Sequence, residues 1–389
     1  VLLLASCQKD ADVVEMNNSS LQLRFQMLGN ASVEASRATE AAESDVENVM
    51  VYFFKENGMK AMEPVYLTKD MLTLTESGNY TRTYTAEVSN VSNLPDGKYY
   101  VFAIANIETD MWKLSEANLD YSTSDNFAKA LISASWLEPL GAHITMTGRC
   151  GSDGSANVSS GQLTSTIYLK RPYAKATFNF KTGKESIEFT PESYSIYNLP
   201  GKASIFERTA ENAVASDFWK SEGIAFSTQS QNSFTFYQLE NQKTGSDIAR
   251  YHDRAINAPE NSTYVVVKGI YKEYKTDAEG NPTTELKYTG DVSYKIHLGD
   301  FSSANGNDYN DVNVLRNTAY TYDVTINGVE NIIVEAKKEE ADYENGAEGY
   351  IIDASQSKMI YTLDAHYETV QLRIPVDGLF DVNDATKSL

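Results

Sequence analysis

Seven residues, Leu21-Gln22-Leu23-Arg24-Phe25-Gln26-Met27, alternate apolar and polar side chains without a break. Only an extended strand sends successive side chains to opposite faces, so this run predicts a half-buried β-strand. The signature recurs along the chain. Residues 80–88 alternate again. Run 49–54 is continuously apolar, as strands buried on both faces are, and 99–106, apolar up to its closing Asn106, reads as another buried strand. Residues 174–180, 234–237, 264–267 and 292–298 also read as strands, and in 320–326 Tyr320, Tyr322, Val324 and Ile326 share one face. Asn57-Gly58 is a turn signal. The single expected helix is short, within 125–133, capped by Ser124 or Asp125. Many short strands with few helices predict an all-β fold of paired sandwiches. The 25 Tyr and 15 Phe suit it, since aromatic side chains pack well on pleated surfaces.

At 389 residues the chain exceeds one small core and predicts two or more domains. The Gly-, Ser- and Asn-rich stretch 151–161 marks a boundary. The expected division is a leader over 1–20, a first β-sandwich over 21–160, a second over 161–335, and an acidic linker with a β tail or the start of an extra domain over 336–389. Within the first sandwich, strand 21–28 is set off by a small, polar and acidic stretch, 29–44, that reads as an exposed loop. In the tail, Met359, Tyr361 and Leu363, and then Val370, Leu372 and Ile374, mark two further strands.

The chain opens Val-Leu-Leu-Leu-Ala-Ser-Cys, an apolar run ending in small residues at Cys7, with a polar stretch behind it. This reads as the end of an export signal with a lipobox, in which the Cys7 thiol accepts diacylglycerol. No later stretch is long and apolar enough to span a bilayer as a helix, so attachment would be by lipid alone. With Cys7 lipidated, Cys150 has no partner, and the fold cannot rest on disulfides.

Composition also narrows function. A net charge of −21, from 33 basic and 54 acidic residues, disfavours nucleic acid as a partner. His143, His252, His297 and His366 are scattered, without zinc spacing. There is no nucleophile-elbow, phosphate-loop or dinucleotide motif, and no cofactor or catalytic residue is expected. The oxygen-rich loop 305–311 lacks the register and terminal Glu of a calcium loop, and reads as a turn. Trp112, Trp136 and Trp219 are candidates for stacking on sugars but read first as packing residues.

A series of short motifs, in order, resembles the fimbrillin family, the type V pilins of Gram-negative anaerobes, and its larger tip or accessory members in particular. These are 47–53 (Glu-Asn-Val-Met-Val-Tyr-Phe), 100–106 with its closing Ala-Asn, and Ile144-Thr145-Met146-Thr147-Gly148, where Thr145 replaces the family's Pro. Residues 167–175 resemble the family's Leu-x-Arg-x-x-Ala-Lys. Residues 234–241, 264–269 and 316–322 complete a resemblance that covers 21–334.

The resemblance implies two tandem transthyretin-like or Ig-like sandwiches, export as a lipoprotein to the outer membrane, and cleavage by an arginine-specific protease. Arg37 would be the cut site, because it lies in the polar loop; Arg24, inside a strand, would resist. Leu21, Leu23, Phe25 and Met27 would belong to a removable strand. A neighbouring subunit's Met359–Leu363 or Val370–Ile374 segment would fill the groove by strand addition. The expected partners are other fimbrial subunits, the outer membrane through a lipid, and host or bacterial surface ligands. The competing expectation is a lipid-anchored, monomeric glycan- or host-binding module.

Overall fold

In a computed structural model of the chain, the structure describes residues 20–27, 45–77, 82–88, 94–107, 119–134, 137, 143–151, 153–159, 162–163, 165–208, 215–228, 231–243, 247–302, 306, 308–329 and 332–336. The fold is all-β. The first half holds β1 (Leu21–Met27), β2 (Asn48–Lys55), β3 (Val65–Thr68), β4 (Thr73–Ser77), β5 (Arg82–Val88), β6 (Gly97–Ala105), helix α1 (Ser124–Ala128), β7 (Leu131–Ser133), β8 (Met146–Cys150), β9 (Ser155–Ser159), β10 (Gln162–Leu163) and β11 (Ile167–Lys170). All of these strands except β7 belong to one ten-stranded sheet, ordered β10–β9–β6–β8–β11–β1–β5–β4, with β2 joined to β6 and β3 to β2. Because β10 also pairs with β1, the sheet bends back on itself around a single core.

The second half holds β12 (Tyr173–Thr182), β13 (Ile187–Tyr197), β14 (Lys202–Ser204), β15 (Ala215–Ser216), β16 (Ile224–Ala225), β17 (Ser233–Leu239), helix α2 (Arg254–Asn257), β18 (Tyr264–Thr276), β19 (Pro282–His297), β20 (Ala319–Ile326) and β21 (Ile332–Ala336). Two four-stranded sheets, β17–β12–β20–β21 and β16–β13–β18–β19, face one another. Phe178, Phe234 and Tyr322 of the first meet Tyr194, Val267 and Tyr294 of the second, a sandwich built on alternating inward side chains. In β20 every second residue, from Tyr320 to Ile326, is buried, as its alternation predicts.

Strand β2 is buried on both faces because it lies between two cores. Val49, Val51 and Phe53 enter the core of the bent sheet. Met50, Tyr52 and Phe54 turn to a second cluster that includes Phe127 of α1 and Ile205, Phe206, Tyr237 and Leu239 of the second half. The two halves therefore share apolar packing, and β7 pairs with β14 across the junction.

Two local expectations are corrected. The short helix begins one residue early and is capped by Thr123, whose hydroxyl accepts from the Asn126 amide, not by Ser124 or Asp125. Residues 131–133 are strand, because the Ile132 side chain is drawn into the shared core. The Gly- and Ser-rich stretch at 151–161 is also more than a linker. It carries β9, where Ala156 and Val158 are buried between polar neighbours, so composition masks a period-two pattern. The crossing between sheets falls later, between Lys170 and Tyr173, where buried Arg171 donates to the Asn317 side-chain oxygen at 2.9 Å.

Gly148 explains the end of the 144–148 motif. A Cβ built there would lie 2.0 Å from the Tyr168 carbonyl oxygen, on the paired strand β11. Gly148→Val should therefore lower unfolding free energy by about 1–3 kcal/mol, because the backbone of β11 must shift. Urea denaturation checks this; an unchanged midpoint would mean that the strands are not so close.

Candidate assembly groove

Leu21, Leu23, Phe25 and Met27 are buried to 2% exposure or less, while Gln22 and Arg24 face outward. Alternation by itself does not distinguish an edge strand from an interior one. Here β1 is an interior strand. Along one edge all seven residues pair antiparallel with β5, from Leu21 opposite Val88 to Met27 opposite Arg82. Along the other, Phe25 to Met27 pair parallel with Ile167 to Leu169 of β11, and Gln22 lies opposite Gln162 of β10. Arg24 sits in the paired stretch opposite Thr85, a poor substrate for a protease.

Taking β1 away would leave two facing edges with unpaired amides and carbonyls above four apolar pockets. Such a cleft is complementary to another alternating strand. Ile167 and Leu169 of the neighbouring β11 belong to the same core, as do Val101 and Cys150 on strands further along the sheet. The Cys150 thiol is buried, its pKa pushed up to about 12 by that burial, so it is inert as a nucleophile while the core is closed.

The chain leaves β1 at Met27 and re-enters the described structure at Asp45, and the two points are tied. Arg82, the register partner of Met27, donates from Nη1 to Asp45 Oδ1 at 3.2 Å. Lys69 bonds both Asp45, at 3.1 Å, and Glu47; these bonds, that to Glu47 first, raise its pKa. Asn106, in left-handed backbone conformation (φ 58°) and fully buried, donates to the carbonyls of Asp45 and Ile144, at 2.9 and 2.8 Å, and accepts from the Glu47 amide. The Ala-Asn that closes the 100–106 motif thus clamps the start of β2. Asp45, Glu47 and His143 could meet a metal ion, but Lys69 and Arg82 already neutralise the carboxylates, so the group reads as an ion-pair network.

Other expected site residues fall differently. Cys7, Arg37, Met359, Tyr361, Leu363, Val370, Leu372 and Ile374 lie outside the described residues, as do Trp112, Trp136 and His366. Trp219 packs against the second sandwich's core. His297 is buried against Tyr264; burial, then Lys295 and Arg254, lower its pKa well below the usual histidine range, as for a packing residue. Sequence reasoning missed the clamp at Asn106 and the ion pairs of Asp45. Their only signal was the left-handed tolerance of Asn at a strand end. Among the described residues no helix is long and apolar enough to cross a membrane.

This architecture is similar to that of a solved protein described as a "putative cell adhesion protein". That protein, from Parabacteroides distasonis, is 16% identical, with a TM-score of 0.51 over 85% of this chain and 95% of its own. A fimbrial assembly protein from the same organism (16% identity, TM-score 0.46, 82% and 96% covered) is also similar. So is the tip fimbrial protein Mfa3 from Porphyromonas gingivalis (14%, TM-score 0.46, 82% and 98% covered). The chain belongs to the family of fimbrillin-A associated anchor proteins Mfa1 and Mfa2, whose family model matches residues 12–238, more than half its length. Residues 236–324 match a domain of unknown function, DUF4906. No curated protein matches the sequence. Neither the named family nor these structures are described as enzymes.

Proposed function

We propose that the chain is an accessory subunit, in anchor or tip position, of a cell-surface fimbria, and that it joins a neighbour by exchange of strand β1. Export proceeds as a lipoprotein attached through Cys7, and cleavage after Arg37 frees the leader together with β1. The resulting units are the bent sheet up to Lys170 and the sandwich from Tyr173, with the segment from 336 onward as the connecting tail. The carrying observation is the placement of β1: an alternating strand bonded along both edges, followed by a stretch whose two ends are pinned through Arg82. A cut within that stretch leaves β1 attached only by non-covalent bonds.

The tail supports the same reading. Residues 369–374, Thr-Val-Gln-Leu-Arg-Ile, repeat residues 20–25, Ser-Leu-Gln-Leu-Arg-Phe, with Gln, Leu and Arg identical. In that alignment Val370, Leu372 and Ile374 take the pockets of Leu21, Leu23 and Phe25, while Pro375, which has no amide proton, ends the match. The 370–374 segment is therefore the better donor; in 359–363 apolar Ile360 interrupts the alternation. The mass of the mature protein from cells tests this reading. Loss of residues 1–37, together with detergent-resistant ladders, is the expected result. A monomer that keeps its lipid on Cys7 would overturn it in favour of a solitary surface receptor.

A further inference from the structure

On the face of the first sheet away from the β1 pockets, four separate segments converge on a cleft of about 490 Å³. That lies within the range of small-ligand sites, roughly 300–1,000 Å³. The turn after β2 brings Glu56, strand β6 brings Tyr100 and Phe102, helix α1 brings Asp125, and β8 brings Arg149. Phe102, 3% exposed, forms an apolar floor, and Tyr100 is a half-buried wall.

The polar groups are unusual in being uncommitted. Among the described residues, no hydrogen bond or ion pair engages the side chains of Glu56, Tyr100, Asp125 or Arg149. Carboxylates and a guanidinium thus share one cleft without neutralising one another. The fold's own hydrogen bonds do not use their polar ends, which remain available to a ligand.

We propose that this cleft binds a neutral hexopyranose unit of a surface glycan. A pyranose has an apolar C–H face for Tyr100 and Phe102, and hydroxyls that donate to Glu56 and Asp125 and accept from Arg149. An acidic sugar or a phosphate would meet the carboxylates of Glu56, Asp125 and Asp153 against one guanidinium. A lysine or arginine side chain would meet Arg149. An uncharged polyol has neither conflict. This assignment is independent of strand exchange, because it uses no residue of β1, β5, β10 or β11.

The test is binding of the full-length chain to an array of neutral hexose- and N-acetylhexosamine-terminated oligosaccharides that also carries sialylated and sulfated ones. Neutral hexose-bearing glycans should be retained. Arg149→Gln and Asp125→Asn should each weaken retention roughly tenfold, the worth of a lost charge-assisted hydrogen bond. Their melting temperatures should stay unchanged, and Lys181→Gln, at an exposed position on β12, should bind like the parent. The assignment is overturned if the parent retains no neutral glycan, if it prefers sialylated or sulfated glycans, or if both cleft variants bind undiminished.

Discussion

A chain lacking residues 1–37 should assemble into detergent-resistant, head-to-tail oligomers when residues 337–389 are present, and should stay unassembled when they are absent. The magnitudes require something to fill the groove. Burying Leu21, Leu23, Phe25 and Met27 stabilises the fold by roughly 6–12 kcal/mol, taking about 1.5–3 kcal/mol for each side chain. That is comparable to the whole net stability of a domain, about 5–15 kcal/mol. An empty groove is therefore a high-energy state, resolved by a donor strand or by local unfolding. Cys150 reports which. In the tail-less form its thiol should label rapidly. A peptide of residues 367–376 should restore protection, whereas the same peptide carrying Leu372→Asp should not. From Ala336 to Val370 is 34 residues, roughly 110 Å when fully extended, so the tail can reach a second molecule. Size-exclusion chromatography separates the outcomes. A monomer with protected Cys150 means that the tail folded back onto its own groove. Protection without either tail or peptide would mean that β1 was never needed, and strand exchange would be abandoned.

Arg316→Met should be the most damaging single substitution away from the groove. The Arg316 guanidinium, 4% exposed as a residue, bonds Glu240 Oε2 from Nε and Nη2, at 2.9 and 2.8 Å, and donates to the carbonyls of Ile205 and Ser204, at 2.9 and 2.6 Å. Removing it leaves a buried carboxylate whose remaining side-chain partner among the described residues is Gln242, at a cost of about 3–5 kcal/mol. Lysine cannot span the same carbonyls and carboxylate with its single ammonium, so Arg316→Lys should recover little. Glu240→Gln in the Arg316→Met background should recover part, because the buried charge is gone. Equilibrium urea unfolding measures all three; a loss under about 1 kcal/mol for Arg316→Met would show that the pair is dispensable.

What was legible in the sequence follows the range of each interaction. Alternation in 21–27 and 320–326 and the continuous apolar run at 49–54 identify β1, β20 and β2, because side-chain direction is a local property. That β2 is apolar on both sides was readable; that its second face meets Phe127 and Phe206 was not, since those residues lie far along the chain. The interior position of β1 was hidden for the same reason: its partners at 82–88 and 162–169 are chosen by global packing. Of the groove, the apolar lining residues on β1 were legible and the Asn106 clamp was not. The cleft around Arg149 had no sequence signal, because its side chains come from four segments that only the fold collects.

The aromatic cluster common to both halves has a mechanical consequence. Phe102, Phe127 and Phe206 pack edge-on or tilted, with ring centroids 5.0 to 5.6 Å apart, across the junction, and the β7–β14 pairing braces it. Bending the molecule there would open a dry seam to water. A filament assembled from such units would behave as a string of stiff rods. Its compliance under flow would be concentrated in the tethers between them, where 34 residues of chain separate one rod from its grip on the next.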